Sequence, residues 1–302
     1  QPMNLTDLLK LYGNVQEHEP MSAHTTYKIG GTARWFIQPR SVTALMRIMQ
    51  LLDAENIPWI VLGRGSNLLV PDGAWPGAVI NLDYTFNDCY FEPDGILYAQ
   101  AGCALPALAV EAMKHSMSGL EFASGIPGSL GGGLYMNAGA YRSDLSSILL
   151  EVLILRDRKV EWVSREDLDY SYRHSALQEH RDWTILAAKF QLEKSDQNRI
   201  RQLMASRQQR RLDAQPLDKP CAGSTFRNPR DMPAWEIIDR LGLRGRQIGG
   251  ARISDKHSNF IVNAGGATCR DVMALIDLVK TEARRVFDVD MIPEVEIPEW
   301  TA

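Results

Sequence analysis

The stretch that most constrains this chain is residues 124–141, SGIPGSLGGGLYMNAGAY, in which six of eighteen residues are glycine. Glycine loses more conformational freedom on folding than any other residue. Such a density persists where the backbone must adopt special angles or lie flush against a ligand. The segment is neither G-x-x-x-x-G-K-[ST] nor a well-placed G-x-G-x-x-G, so a P-loop or Rossmann fingerprint does not explain it. Bare main-chain N–H groups can hold an anion without a lysine. A second glycine turn lies in VLGRGSNLLV, residues 61–70, where apolar residues run into Gly63, Arg64, Gly65, Ser66 and Asn67 and then resume. Alone, that turn reads equally well as an ordinary tight turn.

With 302 residues the chain is long enough for two domains. Its formal charge is 33 − 37 = −4, which supplies no global basic field for nucleic acid or an anionic membrane. No apolar run approaches the roughly 18–20 residues that span a bilayer. The opening QPMNLTDLLK lacks the basic start and apolar core of a signal peptide, and a native start is expected at Met3, after Gln1 and Pro2. Cys89, Cys103, Cys221 and Cys269 are scattered, and no H-E-x-x-H occurs. Neither a disulfide framework nor a metal site is expected, and the expected compartment is the cytoplasm.

Along the chain, TARWFIQP reads as a strand closed by Pro39, followed by a helix with Val42, Leu45, Met46, Met49 and Leu52 on one face. WIVLG, AVINL, ILYAQAG, LEVLILR, VEWVS and WTILAAKFQLE read as short strands, with LPALAVEAMKHSM as a helix between them. Many short strands with few inserted helices predict an α+β fold. A basic helix follows with Ile200, Leu203 and Met204 on one face, and QPLDKPCAGSTFRNP is a Pro/Gly-rich loop. Thr268 opens a T-x-x-D capping pattern before a helix whose apolar face holds Val272, Leu275, Ile276, Val279, Ala283, Val286 and Phe287.

GRGSNLLV and GIPGSLGGGLYMNAGAY together resemble the flavin-binding pair of the UDP-N-acetylenolpyruvoylglucosamine reductases. HTTYKIGG at 24–31, YSYRHS, CAGSTFRNP, KHSNFIVN and IPEV follow in family order, so the resemblance covers roughly residues 23–297. It implies a two-part FAD-binding domain of the vanillyl-alcohol-oxidase/PCMH type plus a smaller α+β substrate-binding domain. The implied division is 1–72 with a C-terminal return at 292–302, then 73–195, then 199–291. It also implies non-covalent FAD, with its diphosphate on backbone N–H groups of both loops. The cofactor residues carried over by motif are Tyr27, Gly30, Arg64, Gly65, Ser66, Asn67, Leu68, Gly125, Ile126, Pro127, Gly128, Ser129, Asn137, Ala138, Gly139, Ala140 and Tyr141.

The resemblance further implies that NADPH reduces FAD and that hydride then passes from flavin N5 to C3 of the enolpyruvyl ether of UDP-N-acetylenolpyruvoylglucosamine. Charge accumulating at C2 and the carboxylate calls for a cation and a well-placed acid. By motif, Arg173 and Glu294 would stabilise the enolic intermediate and Ser224 would protonate C2. Asn228 matches a substrate-contacting asparagine. Arg207, Arg211 and Lys256 are candidate substrate contacts, although a solvated basic helix face explains the two arginines equally well. Glu296 stands where the family commonly has a basic residue, and Gly131, Gly132 and Gly133 make the second loop one glycine richer than usual. Spacing places the chain in the shorter branch of the family. Another oxidase on the same fold would explain the glycine loops but not CAGSTFRNP, YSYRHS and IPEV together. A nucleotide-sugar binding protein without flavin would not need both loops.

Overall fold

The structure, a computed structural model, describes residues 1–300. Two compact units emerge. One comprises Gln1–Glu17, Trp35–Gly63 and Ala78–Arg210, and the other His18–Arg34, Arg64–Gly77 and Arg211–Ala302.

The larger part of two sheets belongs to the first unit. After helix α1 (Leu5–Lys10), strands β1 (Gly13–Pro20), β2 (Thr32–Pro39), β3 (Trp59–Val61) and β4 (Ala74–Ile80) form a sheet ordered β1-β2-β4-β3, and helix α2 (Val42–Ala54) links β2 to β3. β3 runs parallel to β4, with Trp59 opposite Ala78 and Val61 opposite Ile80. Ser41 starts α2 because its hydroxyl accepts from Ala44 N at 3.1 Å. The helix buries Ala44, Leu45, Ile48 and Leu52 against Trp35, Ile37 and Ile80. The sequence face is therefore rotated toward Ile48, with Met46 and Met49 at its margin.

The other sheet is antiparallel. It contains β5 (Cys89–Glu92), β6 (Ile96–Gln100), β10 (Leu149–Arg156), β11 (Lys159–Ser164) and β12 (Thr184–Gln191) in the order β11-β10-β12-β6-β5. One face packs Leu97, Val152, Ile154 and Phe190 against helices α3 (Leu105–Lys114) and α4 (Leu130–Met136). Short strand β7 (Met117–Ser118) lies between them in sequence, and β8 (Gly139–Ala140) and β9 (Ser143–Asp144) follow α4; β13 (Glu193–Lys194) pairs with β7. Helix α5 (Gln197–Ala214) follows. Ile200 is its one buried residue, and Leu203, expected on the apolar face, is exposed.

The second unit packs helices α6 (Ala234–Arg240) and α7 (Cys269–Phe287) with a three-stranded antiparallel sheet, β14 (Gln247–Ile248), β15 (Ala251–Ile253) and β16 (Ile261–Asn263). Its core contains Tyr27, Ile29, Leu69, Phe226, Ile237, Ile261, Val272, Leu275, Ile276 and Val279. The Thr268 cap and its reciprocal Asp271 bond are both present. Val286, predicted on the apolar face, is 48% exposed, whereas Phe287 beside it packs against the core, so the buried face is narrower than the spacing suggests. The α+β class expected from the strand and helix pattern is the class observed.

Candidate active site

In the first unit the glycine-rich segment is pinned from below. Leu130 N donates to Cys103 O and Gly131 N to Ala101 O, both at 2.8 Å, and Leu105 N donates to Gly128 O at 3.0 Å. Gly128 has φ +122°, a conformation that side chains disfavour. A Cβ on Gly63 would fall 2.1 Å from Ser129 Oγ, so the two glycine segments approach each other there and a side chain at 63 would have to displace the Ser129 hydroxyl. Asn81, buried, steadies Gly63 by donating to Leu62 O and Gly63 O at 3.1 and 3.3 Å. Ser129 does not cap α4 with its side chain, and a Cβ on Gly132 would meet nothing within 4 Å. Leu130 N and Gly131 N are committed to the Cys103 and Ala101 carbonyls, so in the first turn of α4 the unobstructed main chain is at Gly132. A fixed glycine loop of this kind fits the diphosphate of FAD, which needs main-chain N–H groups and no cation.

Downstream, Asn137 ends α4 in the left-handed conformation and is fully buried. Its amide donates to Ser171 O at 2.8 Å and Asp144 Oδ2 at 3.2 Å, and its oxygen accepts from Ser146 N at 3.1 Å. The next residues form the β8–β9 hairpin, whose central pair Tyr141 and Arg142 have φ +52° and +63°. That geometry normally selects Asn-Gly. Arg207 and Arg210 lie over the Tyr141 ring at 4.6 and 5.4 Å, and the Tyr141 hydroxyl donates to Arg207 O at 3.0 Å.

Arg173 sits in a tight turn closed by the Ser171–His174 backbone pair at 3.1 Å in both directions. Its φ is +51°, a costly state for a residue other than glycine and one that concentrates at functional sites. The guanidinium donates to Gly139 O at 2.8 Å and Asn137 O at 3.5 Å, and it stacks on Tyr172. Gln178 holds the turn from behind through Arg173 O at 3.2 Å. The structure thus brings Arg173 together with Asn137 and Gly139.

The second unit joins another set. Glu294 N donates to Thr225 O at 2.7 Å, Arg227 N to Ile292 O at 2.9 Å, and Phe226 bridges Pro293. Ser224 and Glu294, 70 positions apart in sequence, are therefore carried on adjacent backbone segments, both half-buried. Asn67 ties to the same place: its amide donates to Glu294 O at 3.1 Å and its carbonyl accepts from Glu296 N at 2.9 Å. Leu68 bridges Glu296 in parallel. Gly65, with φ +72°, lies against residues 24–25, where a Cβ would come 2.4 Å from His24 O. Gly30 has φ +146°.

Other sequence candidates have visible structural duties. Tyr27 is buried, and its hydroxyl donates to Ile261 O at 2.7 Å. Burial, reinforced by Cys221 and Cys269, pushes that phenol well above its ordinary range. Asn228 is exposed and accepts from Ala234 N at 3.0 Å, capping α6. Lys256 donates to Leu212 O at 2.8 Å, at the C-terminal turn of α5, and Arg211 donates to Gln215 Oε1 at 3.1 Å. Burial also raises the Cys221 thiol, which disfavours a thiolate beside the Ser224 loop. Sequence reading missed Asn81 and Asn259. A buried amide bonding main chain far away in sequence leaves no local pattern.

Residues 33–158 match the family described as FAD binding domain, and residues 215–298 match UDP-N-acetylenolpyruvoylglucosamine reductase, C-terminal domain. A UDP-N-acetylenolpyruvoylglucosamine reductase of Bacillus velezensis is 47% identical over 286 residues, 94% of either chain, and that of Bacillus subtilis is 46% identical over the same coverage. The chain belongs to the UDP-N-acetylenolpyruvoylglucosamine reductase family. The crystal structure of the reductase from Thermus caldophilus superposes with a TM-score of 0.82 at 32% identity, covering 95% of this chain and 100% of that one. As a member of this family the chain is an FAD-dependent oxidoreductase, and the bare glycine loop lies within its FAD-binding match. Ser224, Asn228 and Glu294 all fall within the reductase C-terminal match. Among the described residues no group of three or more His, Cys, Asp or Glu could hold a metal, and no helix is long and apolar enough to cross a membrane.

Proposed function

We propose that the protein reduces the enolpyruvyl ether of UDP-N-acetylenolpyruvoylglucosamine to UDP-N-acetylmuramate, with NADPH as the reductant, in peptidoglycan precursor synthesis. The observation that carries this reading is the backbone bridge setting Ser224 beside Glu294 within the region matched by the reductase C-terminal domain. Bound FAD supplies the hydride carrier between NADPH and substrate.

Arg173 binds the substrate carboxylate, with a guanidinium whose charge is fixed and whose fork is held by Gly139 O and Asn137 O. Ser224 delivers a proton to C2, and Glu294 stabilises the enolic intermediate as a hydrogen-bonding partner. The segment Gly125, Ile126, Pro127, Gly128 and Ser129 lies along the cofactor diphosphate, with Pro127, which has no N–H, shaping the loop rather than donating, and Asn137 to Tyr141 and Arg64 to Leu68 complete its binding. Arg207, Arg211, Lys256 and Asn228 contact the nucleotide sugar. The division into 1–72 with 292–302, 73–195 and 199–291 accompanies this reading, supported by the pairing of residues 67–69 with Glu296. Four unpaired thiols suit a reducing compartment, the cytoplasm.

The test is spectroscopic. Purified protein should carry a flavin spectrum, bleach anaerobically with NADPH and recover on adding UDP-N-acetylenolpyruvoylglucosamine. Colourless protein would point to a binding module, and recovery with oxygen but not with this substrate would point to an oxidase.

A further inference from the structure

We propose that Asn259 is a positioning residue for Ser224, an inference that rests on reading Ser224 as the proton donor. Asn259 is buried and bonded to the main chain just after Ser224. Its carbonyl accepts from Thr225 N at 2.8 Å, its Oδ1 accepts from Phe226 N at 3.0 Å, and its Nδ2 donates to Phe226 O at 3.0 Å. The side-chain amide thus replaces the paired bonds that a neighbouring strand would give Phe226. On its other flank the same segment is held by Glu294 N to Thr225 O and Arg227 N to Ile292 O. Residues 225–227 are clamped from both sides, while Gly223 before Ser224 has φ +74° and open space around its Cβ direction. The main chain that carries Ser224 is therefore fixed immediately on its C-terminal side, where Asn259 supplies the side-chain part of the clamp.

Asn259 is in turn fixed. Its N–H donates to His257 Nδ1 at 3.2 Å, and Ser258 bonds Asp239, which holds Arg244 through two bonds at 2.7 and 2.8 Å. Both polar atoms of this buried side chain are engaged by the Phe226 main chain, so it acts through geometry.

The experiment follows the two half-reactions of FAD-loaded protein by anaerobic rapid mixing, in Ser224→Ala, Asn259→Ala and the double variant. Asn259→Ala should leave flavin reduction by NADPH close to wild type and slow reoxidation by UDP-N-acetylenolpyruvoylglucosamine by on the order of 10²-fold, the scale of a misplaced reacting group. In the Ser224→Ala background the same change should cost almost nothing more, because the group it positions is gone. Equal slowing of both half-reactions, unchanged reoxidation, or a full additional loss in the double variant would overturn the proposal while leaving Ser224 in its role. Reoxidation unaffected by Ser224→Ala alone would instead remove the reading beneath it. If the alanine chain does not fold, Asn259→Asp carries the same comparison: it keeps the acceptor for Phe226 N and sets a carboxylate oxygen against Phe226 O in place of the donor.

Discussion

Arg173 shows how one side chain can be read in sequence while its setting cannot. The motif around Tyr172 and His174 singles it out, but nothing local announces a left-handed backbone at an arginine or the two carbonyls that orient it. Those carbonyls belong to Asn137 and Gly139, more than 30 positions earlier. Asn137 was likewise legible as part of a motif, yet its buried bonds to Ser171, Asp144 and Ser146 depend on the folded chain. Alanine is as strained as arginine at φ +51°, so Arg173→Ala removes charge without relieving the backbone. Turnover should fall by roughly 10²–10³-fold, the scale for losing a preorganised donor to developing charge, while FAD content stays near stoichiometric. Arg173→Lys should recover part of the rate, since the charge returns without the planar fork. Steady-state rates and the flavin absorbance ratio measure both quantities.

Helix α7 is the element most fully legible beforehand, because its cap and its apolar spacing are local features. Thr268 accepts from Asp271 N, and Asp271 returns the bond to Thr268 N, both at 3.1 Å; Asp271 also accepts from Gly250 N at 3.2 Å. Thr268→Ala should cost about 1 kcal/mol in chemical denaturation. The N–H bonds from Thr268 and Gly250 hold the Asp271 carboxyl below its usual range. Its contribution is then complete above the unfolded value of about 3.9 and disappears as pH falls through the lowered folded value. The stability gap between wild type and Asp271→Ala should accordingly close in acid, and a gap that persisted below that range would show that the charge is not what matters. Strand β5 was not foreseen, since four residues carry too short a period and its partner β6 alone defines it. The turn at Gly65 also behaves differently from its sequence: His24 O crowds the Cβ direction, so a substitution there disturbs the backbone whatever binds nearby.

At the scale of the whole molecule, the reductase family was readable from ordered motifs, but the two units were not. Each is assembled from three separate stretches of chain, and no change of composition marks residues 34–35, 63–64 or 77–78, where the membership changes. Contacts, not punctuation, define such units. Cofactor binding should nevertheless be visible as a property of the entire chain. A ligand held by the folded state alone adds RT ln(1 + [L]/Kd), about 2.7 kcal/mol at a hundredfold excess over Kd. Apoprotein should therefore melt lower than holoprotein, and added FAD should restore the difference. Gly132 provides a clean way to interrupt that linkage, because it lies in the first turn of α4 and a Cβ there meets nothing within 4 Å. Gly132→Ala adds helix propensity without a clash. Gly132→Asp adds a negative charge that favours the helix N-terminus itself but repels the diphosphate proposed to lie there. Aspartate should leave apoprotein stability equal to or above wild type while weakening FAD by roughly 10- to 10³-fold, the range spanned by one close charge between exposed and half-buried surroundings. Calorimetry with and without FAD measures both effects in one sample. If Gly132→Asp kept its colour and its full FAD-dependent shift in melting, the diphosphate would have to rest elsewhere on the glycine-rich segment.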